Sequence, residues 1–417
     1  MHKIFKTRYK CRICLSKNIK QIINFGNITI AEKYLKRRKS SKSLSAPMRI
    51  FYCKNCSHVQ LADVVDPNYL WNDFTFKTKN NLKLVNHFKK TAKKILNTVK
   101  IKPEDCEVLD IGSNDGSLLK AFKTLKVNKI LGIDPAKNIV DEANKNGIKT
   151  ILGFFDKNNL WKVTKYYKKP NIITAFNAFA HSDNIRDITY CISKILRDDG
   201  VFVFEASYLL DVFKKKLIGT FFHEHLDYHK VYSLKKLFKI YNLELFKIER
   251  NSGQGGSIVG YVRKKRRNQK IHISIKKLEN LEKKEKLNQF STLKKLGEEF
   301  LDQKKKINKI LKEIRQRNKT IFGYGSSRSS ATFLSFFKIG KFIKYINDNN
   351  KIKIGKYTPG DKIKVISIKQ SIKKKPDYFL ILAWIHNDKI IKDNRKFINQ
   401  GGKFITISPK ISIIKKK

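Results

Sequence analysis

The order of apolar runs in the middle of the chain constrains the fold most strongly. Between residues 71 and 250, short apolar runs alternate with stretches of helical periodicity. The runs are Val108–Gly112, Ile130–Pro135, Asn171–Asn177 and Val201–Ala206. Helices are predicted to begin at Ser117 and Ala136, between the first three runs. Because strands alternate with helices in a parallel sheet with crossover connections, this region is predicted to be an α/β domain.

The regions on either side differ from this α/β pattern. Residues 1–70 are basic and carry four of the six cysteines. After residue 250, the stretch Lys276–Arg317 has Leu, Ile and Phe at helical spacing between charges, which predicts amphipathic helices. Further strand signals follow at Thr320–Gly325, Phe342–Asp348, Tyr378–Trp384 and Lys403–Ser408. We therefore predict three domains, over residues 1–70, 71–250 and 251–417.

The charge of the chain is extreme and leaves two interpretations open. Its 417 residues carry a formal net charge of +56 at pH 7. Such a charge can hold a nucleic acid through phosphate contacts. The lysines are scattered from Lys3 to Lys417, however, and we find no nucleic-acid recognition motif. We favour a basic background composition over nucleic-acid binding, and attraction of an anionic ligand fits either interpretation.

The hydrophobic pattern predicts no membrane segment. The longest apolar run, Tyr378–Ile385, is far shorter than the roughly 20 residues that span a bilayer. The basic N-terminus lacks the apolar segment of a signal peptide. We therefore expect a cytoplasmic location and no membrane partner.

Two CxxC pairs in the first domain predict a metal site. They consist of Cys11, Cys14, Cys53 and Cys56. Each pair places two thiolates within reach of one tetrahedral ion, and two pairs complete a closed four-cysteine site. A closed site leaves no position for a substrate, so a zinc ion there is predicted to be structural. Reduced or redox-active thiols without a metal are the alternative.

A glycine-bearing turn follows the first predicted strand of the α/β domain. Gly112 and Gly116 let the backbone pass close to a ligand, and the following helix N-terminus favours polar or anionic groups. Asp134 ends the next strand, where its carboxylate can accept hydrogen bonds from two ribose hydroxyls. The spacing G-x-x-x-G disfavours a pyrophosphate cofactor, and a purely structural turn remains an alternative. The candidate cofactor residues are Asp110, Gly112, Ser113, Asn114, Gly116, Ser117, Asp134 and Pro135.

The segment Phe221–His229 contains three histidines and two carboxylates. Such density is rare in ordinary packing because each buried polar group needs a partner. The segment lacks the i, i+4 histidine spacing of a metal-binding HExxH helix, and a strand would aim His223 and His225 at one face. We interpret it as an acid–base cluster in which a histidine takes a proton and Glu224 orients or polarises that histidine. A metal site and a solvated polar loop are the alternatives.

Taken in order, these motifs resemble the S-adenosylmethionine-dependent sugar C-methyltransferases that modify nucleotide-linked 4-keto-deoxyhexoses. The resemblance extends over essentially the whole chain. Besides the CxxC pairs, the matching segments are Val108–Gly116, Gly132–Pro135, Asn177–His181, Phe221–Tyr228, Gly255–Ser257, Tyr357–Ile363 and Pro376–Trp384. The resemblance implies an α/β fold: a class I methyltransferase Rossmann-like sheet flanked by a small four-cysteine zinc domain and a C-terminal Rossmann-like α/β domain.

The resemblance also implies a cofactor position. The methionine part of S-adenosylmethionine would lie over Gly112–Gly116, with Asn177 beside it. Phe154 or Phe155 would lie near the adenine, and we favour Phe155. Asp134 would hold the ribose, as the glycine-turn pattern alone suggests.

The reaction implied by the resemblance begins with removal of a proton next to a keto group. The resulting enolate carbon then attacks the sulfonium methyl group, and holding these atoms close is most of the catalytic task. We predict His225 as the base, with Glu224 and His181 positioning the sugar or stabilising the enolate oxygen. The predicted substrate contacts are His223 and Tyr228, together with Ser326, Ser327 and Arg328 of a C-terminal turn that would meet the pyrophosphate.

This sequence departs from the family pattern at three positions. Phe76 and Phe222 occupy positions where the family has tyrosine, and Ser329 replaces an expected lysine beside Arg328. Two missing phenols would remove hydrogen bonds to the sugar or the enolate. The substrate, the methylated position or the acceptor atom is therefore expected to differ from better-known members.

We predict a C-methyltransferase acting on a nucleotide-linked keto-deoxysugar, with S-adenosylmethionine as cofactor and zinc as a structural metal. One alternative is methylation of oxygen or nitrogen in another small molecule, which would not require an acidic C–H bond. Another is a zinc-bearing nucleic-acid-binding protein, which only the charge favours.

Overall fold

The computed structural model describes residues 4–39, 43–71, 74–99 and 101–416, and the strands within these ranges form four sheets. The N-terminal part is antiparallel. Its elements are β1 (Phe5–Thr7), β2 (Ile19–Thr29), β3 (Ser45–Cys53), β4 (Val59–Leu61), β5 (Asp63–Val65) and α1 (Pro67–Trp71). Strands β2, β3 and β4 pair in that order, and β1 pairs with β5. Along β3, buried Ala46, Met48 and Ile50 alternate with more exposed residues, as expected for a strand with one face in the core.

The middle part contains the predicted parallel sheet. Its elements are α2 (Leu82–Leu96), β6 (Glu107–Ile111), α3 (Ser117–Thr124), β7 (Lys129–Asp134), α4 (Lys137–Lys145), β8 (Thr150–Leu152), α5 (Leu160–Thr164), β9 (Ile172–Phe176), α6 (Ile185–Ile195), β10 (Val201–Ser207), α7 (Leu209–Lys215), β11 (Asp227–Tyr228), α8 (Val231–Lys239), β12 (Leu243–Asn251) and β13 (Ser257–Lys264). The sheet order is β12-β13-β10-β9-β6-β7-β8, and the five strands from β10 to β8 are parallel. Strand β9 is buried along its whole length, which explains why it reads as a continuous apolar run.

Two strands cross the boundaries expected from the sequence. Strand β13 pairs antiparallel with both β10 and β12, so this sheet extends to Lys264, past the boundary expected at residue 250. Strand β11 leaves the middle part and pairs antiparallel with β4 of the N-terminal sheet. The chain therefore joins its first two parts through backbone hydrogen bonds as well as through packing.

The C-terminal part is a second α/β unit, as predicted. Its elements are α9 (Ile273–Lys284), α10 (Phe290–Gln316), β14 (Ile321–Tyr324), α11 (Arg328–Phe337), β15 (Ile346–Asp348), β16 (Val365–Ser367), α12 (Ile368–Lys373), β17 (Tyr378–Ile381), α13 (Asn387–Asp393), α14 (Arg395–Asn399), β18 (Lys403–Thr406) and β19 (Ser412–Ile414). The order is β16-β15-β14-β17-β18-β19, with β19 alone antiparallel. Helices α9 and α10 confirm the predicted amphipathic helices. Helix α10 packs closely on β2, since a Cβ atom at Gly297 would lie 2.8 Å from the carbonyl oxygen of Ile22.

Short 3₁₀ helices connect several of these elements. They are Thr78–Asn80, Pro103–Asp105, Phe179–His181, Ile218–Thr220, Gly253–Gly255, Gly340–Phe342 and Trp384–His386. None of the helices that the structure describes is both long and apolar enough to cross a membrane.

The strand order of the middle sheet locates a ligand crevice. The connections run from β6 outward to β8 on one side and from β9 outward on the other, so the order reverses between β6 and β9. In open α/β sheets, ligands bind beyond the carboxyl ends of the strands at such a reversal. The glycine turn after β6 and Asn177 after β9 both lie at this position.

Candidate active site

The four cysteines of the CxxC pairs come together in the N-terminal part. All four Sγ atoms lie within 4.8 Å of one another, with 3.4 Å between Cys11 and Cys56 and 3.5 Å between Cys14 and Cys53. Tetrahedral zinc with Zn–S bonds of about 2.3 Å requires sulfur atoms about 3.8 Å apart, so the arrangement fits zinc. In the described part of the chain, no other group of His, Cys, Asp and Glu side chains has this metal-binding geometry. His58 is not part of this cluster, and its Nε2 atom lies 2.6 Å from Oδ1 of Asp227.

The glycine turn, Gly112–Gly116, requires both of its glycines. Gly112 has a φ angle of +68°, and a Cβ atom there would lie 2.5 Å from the Cβ of Ala178. Gly116 has a φ angle of +74°, and its Cβ would lie 2.6 Å from Cγ2 of Ile148. Gly112 therefore lies against the loop that follows β9, and Gly116 lies against Ile148, just before β8. The backbone of the turn approaches both segments this closely because these two positions have no side chain.

Asp134 is held in place at the edge of this turn. Its Oδ2 accepts a hydrogen bond from the backbone N–H of Asn114 at 2.9 Å, and its Oδ1 accepts one from the N–H of Ala136 at 2.9 Å. Burial raises the pKa of the Asp134 carboxyl, and the two amides oppose that shift. A carboxylate oxygen can accept more than one hydrogen bond, so Asp134 retains acceptors for a ligand.

The other candidate cofactor residues fall into different environments. Asp110 accepts a hydrogen bond from the Thr174 hydroxyl at 2.7 Å, and burial raises its pKa to about 7. The Ser113 hydroxyl is buried without a hydrogen-bond partner among the described residues, and it lies against Gly132 of β7, where a Cβ atom would be 2.4 Å from Oγ. Ser117 donates its hydroxyl to Asp115 at 2.6 Å at the start of α3. The remaining positions are half-buried Pro135 and Asn177, and Phe155, which is buried in the core next to the half-buried Phe154.

A segment that follows the N-terminal part covers the glycine turn. We call this segment, Phe74–Lys79, the cofactor strap. The amide of Asn114 accepts a hydrogen bond from the Thr78 N–H at 3.0 Å and donates one to the Phe76 carbonyl at 3.1 Å. Asp115 accepts one from the Lys79 N–H at 2.8 Å. The strap is thus bound to the same turn that would carry the cofactor, and sequence analysis did not identify Asp115 in this role.

The histidine segment forms a turn, which we call the histidine turn, Phe221–Leu226. The backbone N–H of His225 donates to the Phe222 carbonyl at 2.9 Å, as in a tight turn and not in a strand. His223 and His225 therefore do not share a face. The Nε2 of His223 donates to the Ala46 carbonyl at 3.2 Å, and the Nδ1 of His225 donates to the Thr220 carbonyl at 2.7 Å. His223 is buried, and its ring lies against Ala46 of the N-terminal sheet. The structure therefore does not support the substrate contact predicted for His223.

His225 lies in a stack of aromatic rings. Its ring centre is 3.8 Å from that of Phe222 and 5.2 Å from that of His181. Trp71, the last residue of α1, also stacks on His181, with 5.4 Å between the two ring centres. The structure therefore brings together the two histidines that the sequence selected, and it adds Trp71, which the sequence did not.

The electrostatic environment keeps His225 neutral. Burial and, to a smaller extent, the positive charge of Arg328 lower the pKa of His225 to about 4, although the hydrogen bond to the Thr220 carbonyl opposes the shift. Burial also lowers the pKa of His181 well below its usual value, with contributions from His225 and Arg328. Because Nδ1 of His225 carries the proton donated to Thr220, Nε2 holds the free lone pair.

Glu224 and Arg328 form an ion pair between the middle and C-terminal parts. The Nη1 of Arg328 donates to Oε1 of Glu224 at 2.8 Å.

Arg328 begins α11, directly after the turn that contains Ser326 and Ser327. In that turn, the Ser326 N–H donates to Asp348 at 2.7 Å, and the Ser327 hydroxyl lies 3.0 Å from that of Ser329. These groups lie at the carboxyl ends of β14 and β15, the expected place for a ligand in such a sheet.

Tyr228 lies apart from the histidine stack. It is in β11, its ring centre is 4.6 Å from that of Phe221, and it is 1% exposed. Its hydroxyl is buried without a hydrogen-bond partner among the described residues. Because the Tyr228 ring packs on Phe221 and is almost fully buried, the structure does not support the substrate contact predicted for Tyr228.

Family models match this chain in three consecutive segments. Residues 11–71 match a model described as "Putative zinc binding domain", residues 85–248 match "Methyltransferase domain", and residues 252–409 match "C-methyltransferase C-terminal domain". The order of these matches agrees with the cysteine cluster, the glycine-turn sheet and the C-terminal α/β unit. The glycine turn and Asp134 are groups that suit S-adenosylmethionine.

Relatives and solved structures extend the comparison. Over 416 residues, the chain is 24% identical to the C-methyltransferase NovU of Streptomyces niveus, and the match covers 99% of each chain. A chain from the complex between the Haloferax volcanii Trm112 methyltransferase activator and its methyltransferase is 14% identical, over 45% of this chain and 95% of that one, with a TM-score of 0.38. The CcbJ methyltransferase of Streptomyces caelestis is 14% identical, over 43% of this chain and 90% of its own, with a TM-score of 0.34.

Proposed function

We propose that this chain, an S-adenosylmethionine-dependent C-methyltransferase with an N-terminal zinc-binding domain, methylates the carbon next to the ketone of a nucleotide-linked keto-deoxysugar. The observation that carries the proposal is the state of His225. Its ring is neutral, its Nδ1–H is fixed by the Thr220 carbonyl, and its Nε2 lone pair is free. A base of this kind is needed for carbon methylation, because a C–H bond must first lose its proton.

The proposed reaction has two bond-making steps. Nε2 of His225 takes the proton from the carbon next to the ketone, and the C–H electron pair moves into the enolate. S-adenosylmethionine supplies a methyl group on a positively charged sulfur, which the enolate carbon attacks as the carbon–sulfur bond breaks. Placing the base and the acceptor carbon in one closed space removes most of the entropic cost of this encounter.

His181 and Glu224 are proposed to position the sugar ring. His181 stacks on His225 at 5.2 Å and is kept neutral by its buried surroundings, so it can offer one donor and one acceptor nitrogen. Glu224 is next to the base in sequence and is fixed by Arg328. A carboxylate held in this way can accept hydrogen bonds from sugar hydroxyls.

The nucleotide is proposed to occupy the carboxyl ends of β14 and β15. The geometry there parallels the cofactor turn: Asp348 accepts from the Ser326 N–H at 2.7 Å and from the Asn350 N–H at 2.8 Å, much as Asp134 accepts from two amides. Asp348 ends its strand and so could bind a sugar hydroxyl of the nucleoside. Ser326 and Ser327 lie at the N-terminus of α11, which favours an anionic pyrophosphate.

The experiment that tests this function is a substrate screen. The purified, zinc-loaded enzyme would be incubated with S-adenosylmethionine and a panel of nucleotide-linked 4-keto-6-deoxyhexoses, and S-adenosylhomocysteine would be measured. Parallel samples in D₂O, with S-adenosylhomocysteine in place of the methyl donor, would report exchange of the C–H next to the ketone. Turnover with exchange supports carbon methylation, whereas turnover without any exchange on any substrate would support the oxygen or nitrogen alternative.

Asp134→Ala is expected to weaken S-adenosylmethionine binding by about 100-fold or more. Two hydrogen bonds to a charged group contribute about 1.5 to 3 kcal/mol each, and both ribose contacts would be lost. Isothermal titration calorimetry measures the change, with Asp134→Asn as a variant of the same shape. Asp141→Ala is the matched control, because Asp141 is an exposed carboxylate of α4 paired with Lys137. Equal affinities for Asp134→Ala and the control would refute the ribose assignment.

A further inference from the structure

Arg328 lies where the C-terminal part meets both the histidine turn and the cofactor strap. It is the first residue of α11 in the C-terminal part, and its Nη1 donates to Glu224 of the histidine turn at 2.8 Å. Its guanidinium carbon is 4.2 Å from the ring centre of Phe74, which belongs to the cofactor strap. The side chain of Arg328 is 21% exposed, so its charge lies in partly desolvated surroundings.

The guanidinium is also close to the proposed base. Glu224, its partner, immediately precedes His225, and the positive charge of Arg328 lowers the pKa of both His181 and His225. The rings that stack against the two histidines belong to Phe222 and Trp71. Neither ring carries a charge or a hydroxyl group. Arg328 is therefore a cationic donor next to this stack.

The proposed reaction creates negative charge that needs such a donor. When the C–H bond next to the ketone breaks, its electron pair is delocalised onto the former carbonyl oxygen. Donors that are fixed in advance at a developing oxyanion contribute much of the catalysis in such reactions. A guanidinium has five N–H donors, and the only hydrogen bond that Arg328 makes with the described residues uses Nη1. The remaining donors are available to a ligand.

We propose that Arg328 donates a hydrogen bond to the enolate oxygen and is held for that task by Glu224 and the Phe74 ring. This assignment rests on the proposed function. It differs from the expected pyrophosphate contact, because it places Arg328 at the reacting atoms. The proton goes to Nε2 of His225, the electron pair goes to the enolate, and Arg328 stabilises the charge without transferring a proton.

The test separates enolate formation from methyl transfer. The wild-type enzyme and Arg328→Gln would be given a nucleotide-linked 4-keto-6-deoxyhexose in D₂O, with S-adenosylhomocysteine in place of the methyl donor. The exchange rate of the C–H next to the ketone is expected to fall by about 100- to 1,000-fold in Arg328→Gln, with a much smaller change in KM. Arg328→Lys should recover part of this loss. Arg395→Gln is the matched control, since Arg395 is an exposed arginine of the same α/β unit.

A second measurement does not depend on the substrate. Titration of the histidines by NMR is expected to show that Arg328→Gln raises the pKa of His225, because a nearby positive charge has been removed. An unchanged pKa would place the guanidinium too far from the base and would overturn the assignment. A wild-type exchange rate in Arg328→Gln would also overturn the assignment. A large rise in KM without a fall in the exchange rate would overturn it too, because it would indicate that Arg328 contacts the pyrophosphate. Absence of exchange in the wild-type enzyme with every keto-sugar would instead refute the proposed function.

Discussion

His225→Asn is expected to slow turnover by about 100- to 10,000-fold while leaving S-adenosylmethionine affinity unchanged. This is the range typical of a lost general base. The asparagine amide can still donate to the Thr220 carbonyl, which accepts from Nδ1 of His225 at 2.7 Å, so the turn should keep its shape. What the variant lacks is the nitrogen lone pair that takes the proton. Loss of C–H exchange in D₂O would locate the defect in proton removal.

The control for this variant is His272→Asn. His272 is exposed and caps the N-terminus of α9, accepting a hydrogen bond from the Ser274 N–H, and asparagine serves equally well as a cap. His272→Asn should therefore behave as wild type. Near-normal exchange in His225→Asn would mean that another group removes the proton.

The pH dependence of the reaction follows from the same histidine. The base acts only when neutral, so activity is lost as the pH falls through its pKa. Because that pKa is lowered to about 4, kcat/KM should fall only as the pH approaches this value, and not near the ordinary histidine value of about 6.5. A pH–rate profile measured on samples that remain folded tests this. An acidic limb near pH 6.5 would contradict the buried environment.

Removal of zinc is expected to reduce turnover by about 100-fold or more and to lower the melting temperature of the protein. A structural zinc contributes about 10 kcal/mol or more to the folding of a small domain. The N-terminal sheet also holds the histidine turn: the Leu61 N–H donates to the Leu226 carbonyl at 2.9 Å, and Nη1 of Arg12 donates to the same carbonyl at 3.2 Å. A displacement of about 1 Å in a base can cost about 100-fold in rate.

Chelation and the double substitution Cys53→Ser, Cys56→Ser provide two routes to the zinc-free protein. Turnover, thermal unfolding and S-adenosylmethionine binding would be measured on each. We expect binding to survive better than turnover, because the glycine turn and Asp134 lie in the middle sheet. Cys106→Ala, at a buried cysteine outside the cluster, is the control. Full turnover in the zinc-free protein would show that the N-terminal sheet does not support the histidine turn.

Much of the middle sheet could be predicted because its strands are buried on both faces. Strands such as β9 then read as short continuous apolar runs, and the glycine turn marks the edge where a ligand binds. Strand β13 was not assigned to this sheet, because its antiparallel pairing with β10 and β12 is a tertiary contact without a local signal. The sequence analysis instead placed a domain boundary at residue 250, before this strand.

The candidate site could be predicted only in part for a similar reason. Glu224 and His225 stand out as clustered polar residues, and His181 was selected only through the family resemblance. The contact of Glu224 with Arg328 joins residues 104 positions apart and leaves no local signal. Trp71 ends a five-residue helix with no periodicity to suggest its stacking on His181. Asp348 did carry a signal, since it ends a predicted strand after a glycine turn, as Asp134 does. That parallel was not drawn from the sequence.

The position of the transferred methyl group tests the central claim most directly. The enzyme would be supplied with S-adenosylmethionine labelled with ¹³C in its methyl group and with the nucleotide-linked keto-sugar that gives turnover, and the product would be examined by heteronuclear NMR. The account predicts a labelled methyl group bonded to the ring carbon next to the ketone. A label on oxygen or nitrogen would contradict it.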